Sequence, residues 1–407
     1  MNRQSLWQNR NYRLVFSASA ISNLGDGVAA LALPWLASLM TREPVLIAMV
    51  ATAGRLPWLL LSLPAGVWTD RADRRRLIIR ADVVRFFLTL SVVWMALTAP
   101  MDRSMVWGLA AIAFLLGCAE VIRDNAAQTL LPSLVAKVDL ERANGQMWSV
   151  EEVMGRFIGP PLAGALIGYS MALPFGLDAV SFALSAALFM RITLPKPVLV
   201  TPQAFWPALR EGIIWMRGNP VMLQLAMMVG VLSSLYAATL AVLVLYGQEI
   251  LGLSAAGYGL LLTAGAVGGV VGGLVGPRVA ARIGGKTSLV AALVLIAAAY
   301  LILSVTRSVT LAAIAMFIEA FAGVLWNVVT VSYRQRIIPA PILGRVNSIY
   351  RFFATGAMSL GALTGGVIVA ALEPALGRDM ALHAPFIAAC AGYCALLVYA
   401  VTRLEFE

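Results

Sequence analysis

The chain has 407 residues, 60% of them hydrophobic and only 12% charged, and it carries a formal charge of +10. A mean hydropathy of +0.86 excludes a soluble globular domain and marks an integral membrane protein. The positive charge does not point to nucleic acid, because the arginines recur in every second connection instead of forming one patch interleaved with aromatics.

Apolar runs of about 20 residues recur along the chain, the length a helix needs to cross about 30 Å of hydrocarbon. Backbone in lipid must be satisfied internally, so these runs are read as helices. Twelve spans are predicted, at 12–40, 45–69, 76–99, 104–132, 143–169, 173–193, 219–248, 256–280, 286–305, 309–334, 342–371 and 381–402. The polar stretch from Met1 to Arg13 precedes the first run without a small-residue cleavage site after it, so that run is expected to be retained as a span.

Taking the N-terminus as inside, inside segments hold Arg3, Arg10, Arg13, the Arg71 to Arg80 cluster, Lys137, Arg142, Arg191, Lys196, Arg210, Arg217, Arg278, Arg282, Lys286, Arg334, Arg336, Arg345 and Arg403. Outside segments hold Arg42, Arg103, Arg307 and Arg378. By the positive-inside rule this places both termini in the cytoplasm of a multi-pass protein of the cell (inner) membrane.

The chain also echoes itself. Leu109 to Ala113 recurs as Leu311 to Ala315, Asn125 matches Asn327, Arg142-Ala143-Asn144 is echoed by Arg345-Val346-Asn347, and Thr52-Ala53-Gly54 by Thr263-Ala264-Gly265. All fall at nearly one spacing and in one order, which implies two parallel halves of six spans, 1–193 and 219–407. The segment 194–218 joins them. It holds Pro195, Pro197, Pro202 and Pro207, then Phe205, Trp206, Leu209, Ile213, Ile214 and Trp215 near helical spacing, and reads as a linker ending in a short helix on the inner membrane face.

Between the second and third spans lies Gly66-Val67-Trp68-Thr69-Asp70-Arg71-Ala72-Asp73-Arg74-Arg75-Arg76. With two six-span halves, this loop resembles that of the major facilitator superfamily of secondary transporters, whose pattern falls on Gly66, Asp70, Arg71, Arg74 and Arg75. Asp73 stands where that pattern has a second glycine. This departure, with Asn9-Arg10-Asn11-Tyr12-Arg13 and Ser22-Asn23-Leu24-Gly25-Asp26-Gly27, resembles the branch of macrolide-efflux and enterobactin-export proteins. Asp70 is suited to hold a facing helix N-terminus and nearby arginines, as an inner gate would. Arg75, Arg76 and Arg80 are read as topology determinants facing lipid headgroups. The counterpart from Gly276 to Arg282 has no acid.

In the fifth span, Gly155, Gly159, Pro160 and Gly164 resemble the kink motif of proton-coupled exporters, with Ala163 replacing one glycine. Small residues allow close helix approach, and the Pro160-Pro161 pair bends the helix. Gly265, Gly269 and Gly273 with Gly268, Gly272 and Gly276 are read as packing rows.

Charges inside spans are costly and are functional candidates by default. Asp26 and Arg55 lie at similar depth, so that a pair between them is geometrically possible, with proton coupling and a static salt bridge both open for Asp26. Arg123 and Asp124 in the fourth span, with Glu151, Glu152 and Arg156 in the fifth, are expected to form a structural network between those spans. Glu120 and Glu319 join Asp26 as cavity candidates, since in the superfamily the first and fourth spans of each half line the cavity. Asp82 and Arg85, three apart, are read as a helix-surface pair. Trp35, Trp58, Met227, Met228, Tyr236, Trp326 and Tyr350 are read mainly as packing or interface residues.

Cys118, Cys390 and Cys394 lie in apolar runs, and His383 lacks clustered ligands, so neither a disulfide framework nor a metal site is expected. There is no nucleophile with a base and no Gly-x-x-x-x-Gly-Lys loop, so an enzyme or ATP-driven pump finds no support. The sequence therefore points to an all-α transporter exporting an amphipathic small molecule, a drug or a siderophore-like compound, by proton antiport and alternating access. Its expected partners are cargo, protons and the bilayer, with no cofactor and no nucleic acid, and a monomer is expected. An importer or lysolipid flippase on the same fold, and a non-transporting receptor or scaffold, are the alternatives.

Overall fold

A computed structural model describes residues 6–98, 102–136, 139–193, 205–339 and 342–404. Among the described residues all regular structure is helical: α1 (Arg10–Met40), α2 (Pro44–Arg71), α3 (Arg74–Thr98), α4 (Met105–Leu130), α5 (Leu140–Glu151), α6 (Gly159–Ile167), α7 (Ala172–Met190), α8 (Phe205–Arg217), α9 (Pro220–Leu245), α10 (Ala255–Ile283), α11 (Gly285–Leu303), α12 (Val309–Ile337) and α13 (Leu343–Arg403).

Local chemistry sets the ends. The Asn9 side chain accepts from Tyr12 N at 3.2 Å and caps α1, which therefore begins before the expected residue 12. Pro44 and Pro220 occupy first-turn positions, where a missing N–H costs nothing. Gly284, at φ 83°, takes the left-handed conformation that ends α10. Helix α13 covers 61 residues because the two expected spans 342–371 and 381–402 run together across Gly377, whose φ of 77° breaks the helical geometry. The expected span 143–169 is α5 and α6 joined by a π-helical stretch, Glu152–Ile158.

Nine helices among the described residues are long and apolar enough to cross a membrane, one of them running from Arg345 to Arg403 over the Gly377 kink. The helix α3 and the broken run α5 to α6 are not among these nine, so the twelve expected spans are not all recovered on length and apolarity.

In the part of the chain before 194–204, α2 packs on α4, α3 on α4 and α7, and α1 on α6 and α7. In the later part, α10 packs on α12, α11 on α12 and α13, and α9 on α13. The two parts meet along α2 against α13 and α6 against α10. The expected linker is described only from Phe205, where α8 is helical as the spacing implied; 194–204 lie outside the described residues. Helix α8 is tied to α13 by an ion pair of Glu211 with Arg345.

Candidate functional site

Four helices of the first part, α1, α3, α4 and α7, bring their charged residues into one buried cluster. The Arg85 side chain, 4% exposed, pairs with Asp26, whose side chain is 36% exposed. Asp26 also accepts from Ser22 Oγ at 3.4 Å. Asp82 is fully buried and accepts from Arg123 Nε at 3.0 Å and from Ser185 Oγ at 2.6 Å. Arg123 Nη1 donates to Asp124 at 3.3 Å. The Arg85 guanidinium lies 4.0 Å from the centre of the Phe182 ring, a cation–π contact from α7.

Three expectations are corrected by this geometry. Asp26 pairs with Arg85 and not with Arg55, which sits on an exposed face of α2 within electrostatic reach of Glu120. Asp82 and Arg85 are not a helix-surface pair: both are buried, and each bonds to a different neighbouring helix. The expected network between the fourth and fifth spans is replaced by one between α3 and α4, because Arg123 turns to Asp82 while Arg156 pairs with Glu152 on its own helical stretch at 3.2 Å. Glu151, one residue earlier, lies on an exposed face.

Sequence reasoning missed Asp178. It is 3% exposed on α7, and its Oδ1 lies so close to α1 that a methyl group at Gly25 would collide with it. That oxygen makes no hydrogen bond of ordinary geometry, although the Thr89 hydroxyl lies beside the carboxyl, and Nε and Nη1 of Arg85 likewise have no hydrogen-bond partner. An acid in the middle of an otherwise apolar sixth span was the available signal. Asp26, Asp82, Glu120 and Asp178 all act electrostatically on Arg85.

The kink motif works through backbone contact. Side chains at Gly27 and Gly159 would each strike the other helix's backbone, so α1 and the start of α6 touch main chain to main chain, with Gly155 alongside Asn23. One turn later Gly164 faces the Ala255 backbone, and the Pro160 carbonyl faces Gly259, so the same short helix also carries the contact to α10. The π-helical stretch Glu152–Ile158 ends at Gly159, one residue before Pro160, which has no N–H to continue the regular ladder. The packing rows of α10 hold as read: Gly268 and Gly272 meet the Phe317 and Phe321 backbone.

Of the loop motif, Gly66, Asp70 and Arg71 fall on the last turns of α2, and their side chains lie outside the described residues. Arg74 Nη1 donates to Thr129 O on α4 at 2.8 Å. Arg75 donates through Nε to Phe189 O at 2.9 Å and through Nη2 to Met190 O. It therefore satisfies the C-terminal carbonyls of α7, a favourable place for a cation, and is not simply a headgroup anchor.

At the opposite end of the bundle a second ionic group joins the two parts of the chain. Arg378 holds Glu249 through Nε at 2.8 Å and Nη2 at 3.0 Å, Glu373 through Nη1 at 3.0 Å, and Arg42 O through Nη2 at 2.8 Å. Arg42 donates to Gln248 Oε1 at 2.6 Å, and Gln248 donates to Ser38 Oγ at 2.8 Å. Beneath it, Trp35 and Tyr258 rings lie 5.8 Å apart, and Gly366 abuts the Pro44 backbone. At the arginine-rich end the cross-contacts are made by long side chains: Arg351 reaches Gln128 at 3.5 Å and sits 5.9 Å from the Trp58 ring.

Glu319 stands apart from the ionic cluster on α12, within electrostatic reach of Arg156 and of Tyr236, Tyr300 and Tyr393. The tyrosines are held by their hydroxyls, Tyr393 to Leu232 O at 3.1 Å and Tyr300 to Thr239 Oγ1 at 3.2 Å, with their rings stacked at 5.0 Å.

Comparison with known proteins agrees with this architecture. The multidrug efflux pump Tap of Mycolicibacterium fortuitum is 26% identical over 230 residues, 55% of this chain and 56% of that pump. Macrolide efflux protein A of Streptococcus pyogenes is 20% identical over 54% of each chain. The chain thus spans about half the length of these curated relatives, by 56% and 54%. The MFS-type transporter YfiS of Bacillus subtilis is 25% identical over 89% of this chain and 88% of its own. A bacterial homologue of the human lysosomal transporter Spinster shares the fold with a TM-score of 0.76 at 14% identity, covering 98% of this chain and 97% of that one. A bacterial homologue of the iron transporter ferroportin does so with 0.71 at 21%, covering 98% and 100%. Residues 5–406 match the transmembrane secretion effector family, and the chain belongs to that family of major facilitator superfamily transporters.

Proposed function

We propose that the chain is a secondary active exporter that moves an amphipathic small molecule, a drug or a siderophore-like compound, outward in exchange for protons. One observation carries this reading: Asp26, Asp82, Glu120, Asp124 and Asp178 surround Arg85 and Arg123 in the interior of the first part of the chain, with Arg55 acting on Glu120 from an exposed face. Five carboxylates against three guanidinium groups, Arg55 included, leave negative charge inside a membrane protein, and mobile protons are the ions best suited to balance it. Efflux activity in the names of Tap and macrolide efflux protein A supports the outward direction.

The repeated helix pairings support two six-helix halves, 1–193 and 219–407, with 194–218 between them and α2, α6, α10 and α13 at their seam. With the arginine-rich end in the cytoplasm of the inner membrane, the Arg378 network closes the outer side. Longer, weaker side-chain contacts bridge the inner side. That asymmetry is what an inward-facing carrier has, and the cluster around Arg85 and the Glu319 region are the sites such a carrier alternately exposes.

Proteoliposomes with an imposed pH gradient and a panel of amphipathic drugs test the reading on the parent, Asp26→Asn and Glu319→Gln. Gradient-driven transport in the parent that collapses in Asp26→Asn is expected. Unchanged export in both variants overturns proton coupling, and uptake without efflux in inverted vesicles overturns the direction.

A further inference from the structure

Within the buried cluster, Arg85 uses one terminal nitrogen on Asp26, while its Nε and second terminal nitrogen have no partner. Asp178, 3% exposed, has an Oδ1 that no cation pairs with, its neighbour being the neutral Thr89 hydroxyl. The two acids approach the same arginine from neighbouring helices, since Asp178 Oδ1 lies against Gly25, the residue next to Asp26. They differ in access: the Asp26 side chain is 36% exposed, whereas Asp178 is enclosed.

We propose that Asp178 is the proton-carrying group of this transporter, that Arg85 moves between Asp26 and Asp178 according to whether Asp178 holds a proton, and that Asp26, when released, binds the cationic group of a cationic amphipathic cargo. This rests on the proton-exchange reading above and names its cargo class. The observed arrangement, with Arg85 on Asp26 and Asp178 Oδ1 unpaired, is the protonated state. A buried neutral carboxyl tolerates that isolation, and a buried carboxylate does not.

When Oδ1 gives its proton to the inner solution, the new charge draws the free Nε and Nη1 of Arg85. Asp26 is left as a single, accessible anion, able to bind one monovalent cation. Protonation from the outer solution returns Arg85 to Asp26 and displaces the cargo. One proton thus exchanges for one cation, and charge inside the bundle is conserved. The other groups facing Asp178 do not serve this role. Asp82 on α3 is engaged by Arg123 and Ser185, Thr89 of α3 offers a neutral hydroxyl, and Glu120 on α4 is a further acid of the same cluster. Ser181 on α7 donates to Asp178 O, its own helix backbone, at 2.7 Å.

Equilibrium binding to the purified full chain tests this without any gradient, so its result is independent of whether transport is proton-driven. The probe is tetraphenylphosphonium, a permanent monovalent cation, with tetraphenylborate as an anion of the same shape. In the parent, affinity for the cation rises about tenfold per pH unit where the linked proton leaves, and an indicator dye registers about one proton released per cation bound. Asp178→Asn mimics the protonated state, so it binds at the parent's low-pH affinity and shows no slope. Asp26→Asn loses about tenfold or more of the affinity at high pH. Asp178→Glu, which keeps the acid but moves it, retains the slope with a displaced midpoint, and it decides the matter if the asparagine variant does not fold. A parent-like slope in Asp178→Asn, an unmoved midpoint in Asp178→Glu, no proton release, or preference for tetraphenylborate overturns the proposal.

Discussion

The interiors of the two parts of the chain are built from different chemistry on similar helix pairings. The first encloses Asp26, Asp82, Arg85, Arg123 and Asp178. The second encloses Tyr246, Tyr300, Tyr393 and Phe386, with hydroxyls bonded to backbone carbonyls or to Thr239. Buried neutral hydroxyls, once satisfied, have one stable arrangement. Buried charges in unequal number have several, differing in which acid an arginine serves and which acid is protonated. On the proposed cycle the movable charges belong to the first part, and the second keeps Glu319 and Arg334, the latter 9% exposed over the Tyr350 ring, as its interior charges among the described residues.

The contrast is broken most severely at its ionic centre. Arg85→Ala leaves Asp26 without its cation and removes the cation beside Asp178. Because Asp26 is 36% exposed and water screens it, the cost is about 1–3 kcal/mol, below the about 3–5 kcal/mol of breaking a fully buried pair. Thermal unfolding in detergent is expected to show a large drop, and a stability equal to the parent's would mean that the cluster is solvated. Next is Gly27→Val. The added side chain strikes the backbone at Gly155, and overpacking costs about 1–3 kcal/mol. Loss of both stability and transport is expected here, because the same turn of α6 carries the contact to α10.

How much of this the sequence disclosed follows from what each signal measures. Most spans were legible because hydrophobic length is set by the bilayer, α3 and the broken run α5 to α6 being the exceptions, and the motif glycines were legible because close helix approach admits few other residues. Helix ends moved by a few residues where a cap such as Asn9 or a bend such as Gly377 decided them. Charge pairing was not legible. Depth along each span placed Asp26 level with Arg55, but the pair that forms depends on rotation of α1 and α3 about their axes, which brings Arg85 to Asp26 instead. Asp178 was overlooked because its helix is otherwise apolar, and its significance lies in neighbours from α1 and α3 that no local pattern names. The Arg42, Glu249 and Arg378 contacts join residues far apart in sequence, and only the fold brings them together.

On the aromatic side the effect is smaller and of one kind. Tyr393→Phe removes a hydrogen bond to Leu232 O while keeping the ring stacked on Tyr300, at a cost of about 1 kcal/mol. Stability is expected to fall by that amount with the proton linkage of cation binding unchanged. An altered linkage would show that the second part also takes part in coupling, and the contrast would fail.

The smallest change in stability is expected at the outer end, and it sharpens the contrast most finely. Arg378 is 27% exposed at its side chain, so its pairs with Glu249 and Glu373 are screened by water, and each is worth about 0.2–1 kcal/mol. Arg378→Ala should therefore leave unfolding nearly unchanged. Glu249 and Glu373 lie in the same part as Arg378, and its hydrogen bond to Arg42 O is the contact that crosses to the other part, so the energy of that bond is lost only when that end opens. A loss of about 1 kcal/mol raises the open population about fivefold. A cysteine placed at Ser38, which is 1% exposed behind Gln248, reports that opening as faster labelling by a membrane-impermeant maleimide once Cys118, Cys390 and Cys394 are replaced. Faster labelling with unchanged unfolding identifies a latch between rigid bodies. A parallel fall in both would instead make the network part of the fold's general stability, and the outer end would then not be where the two parts separate.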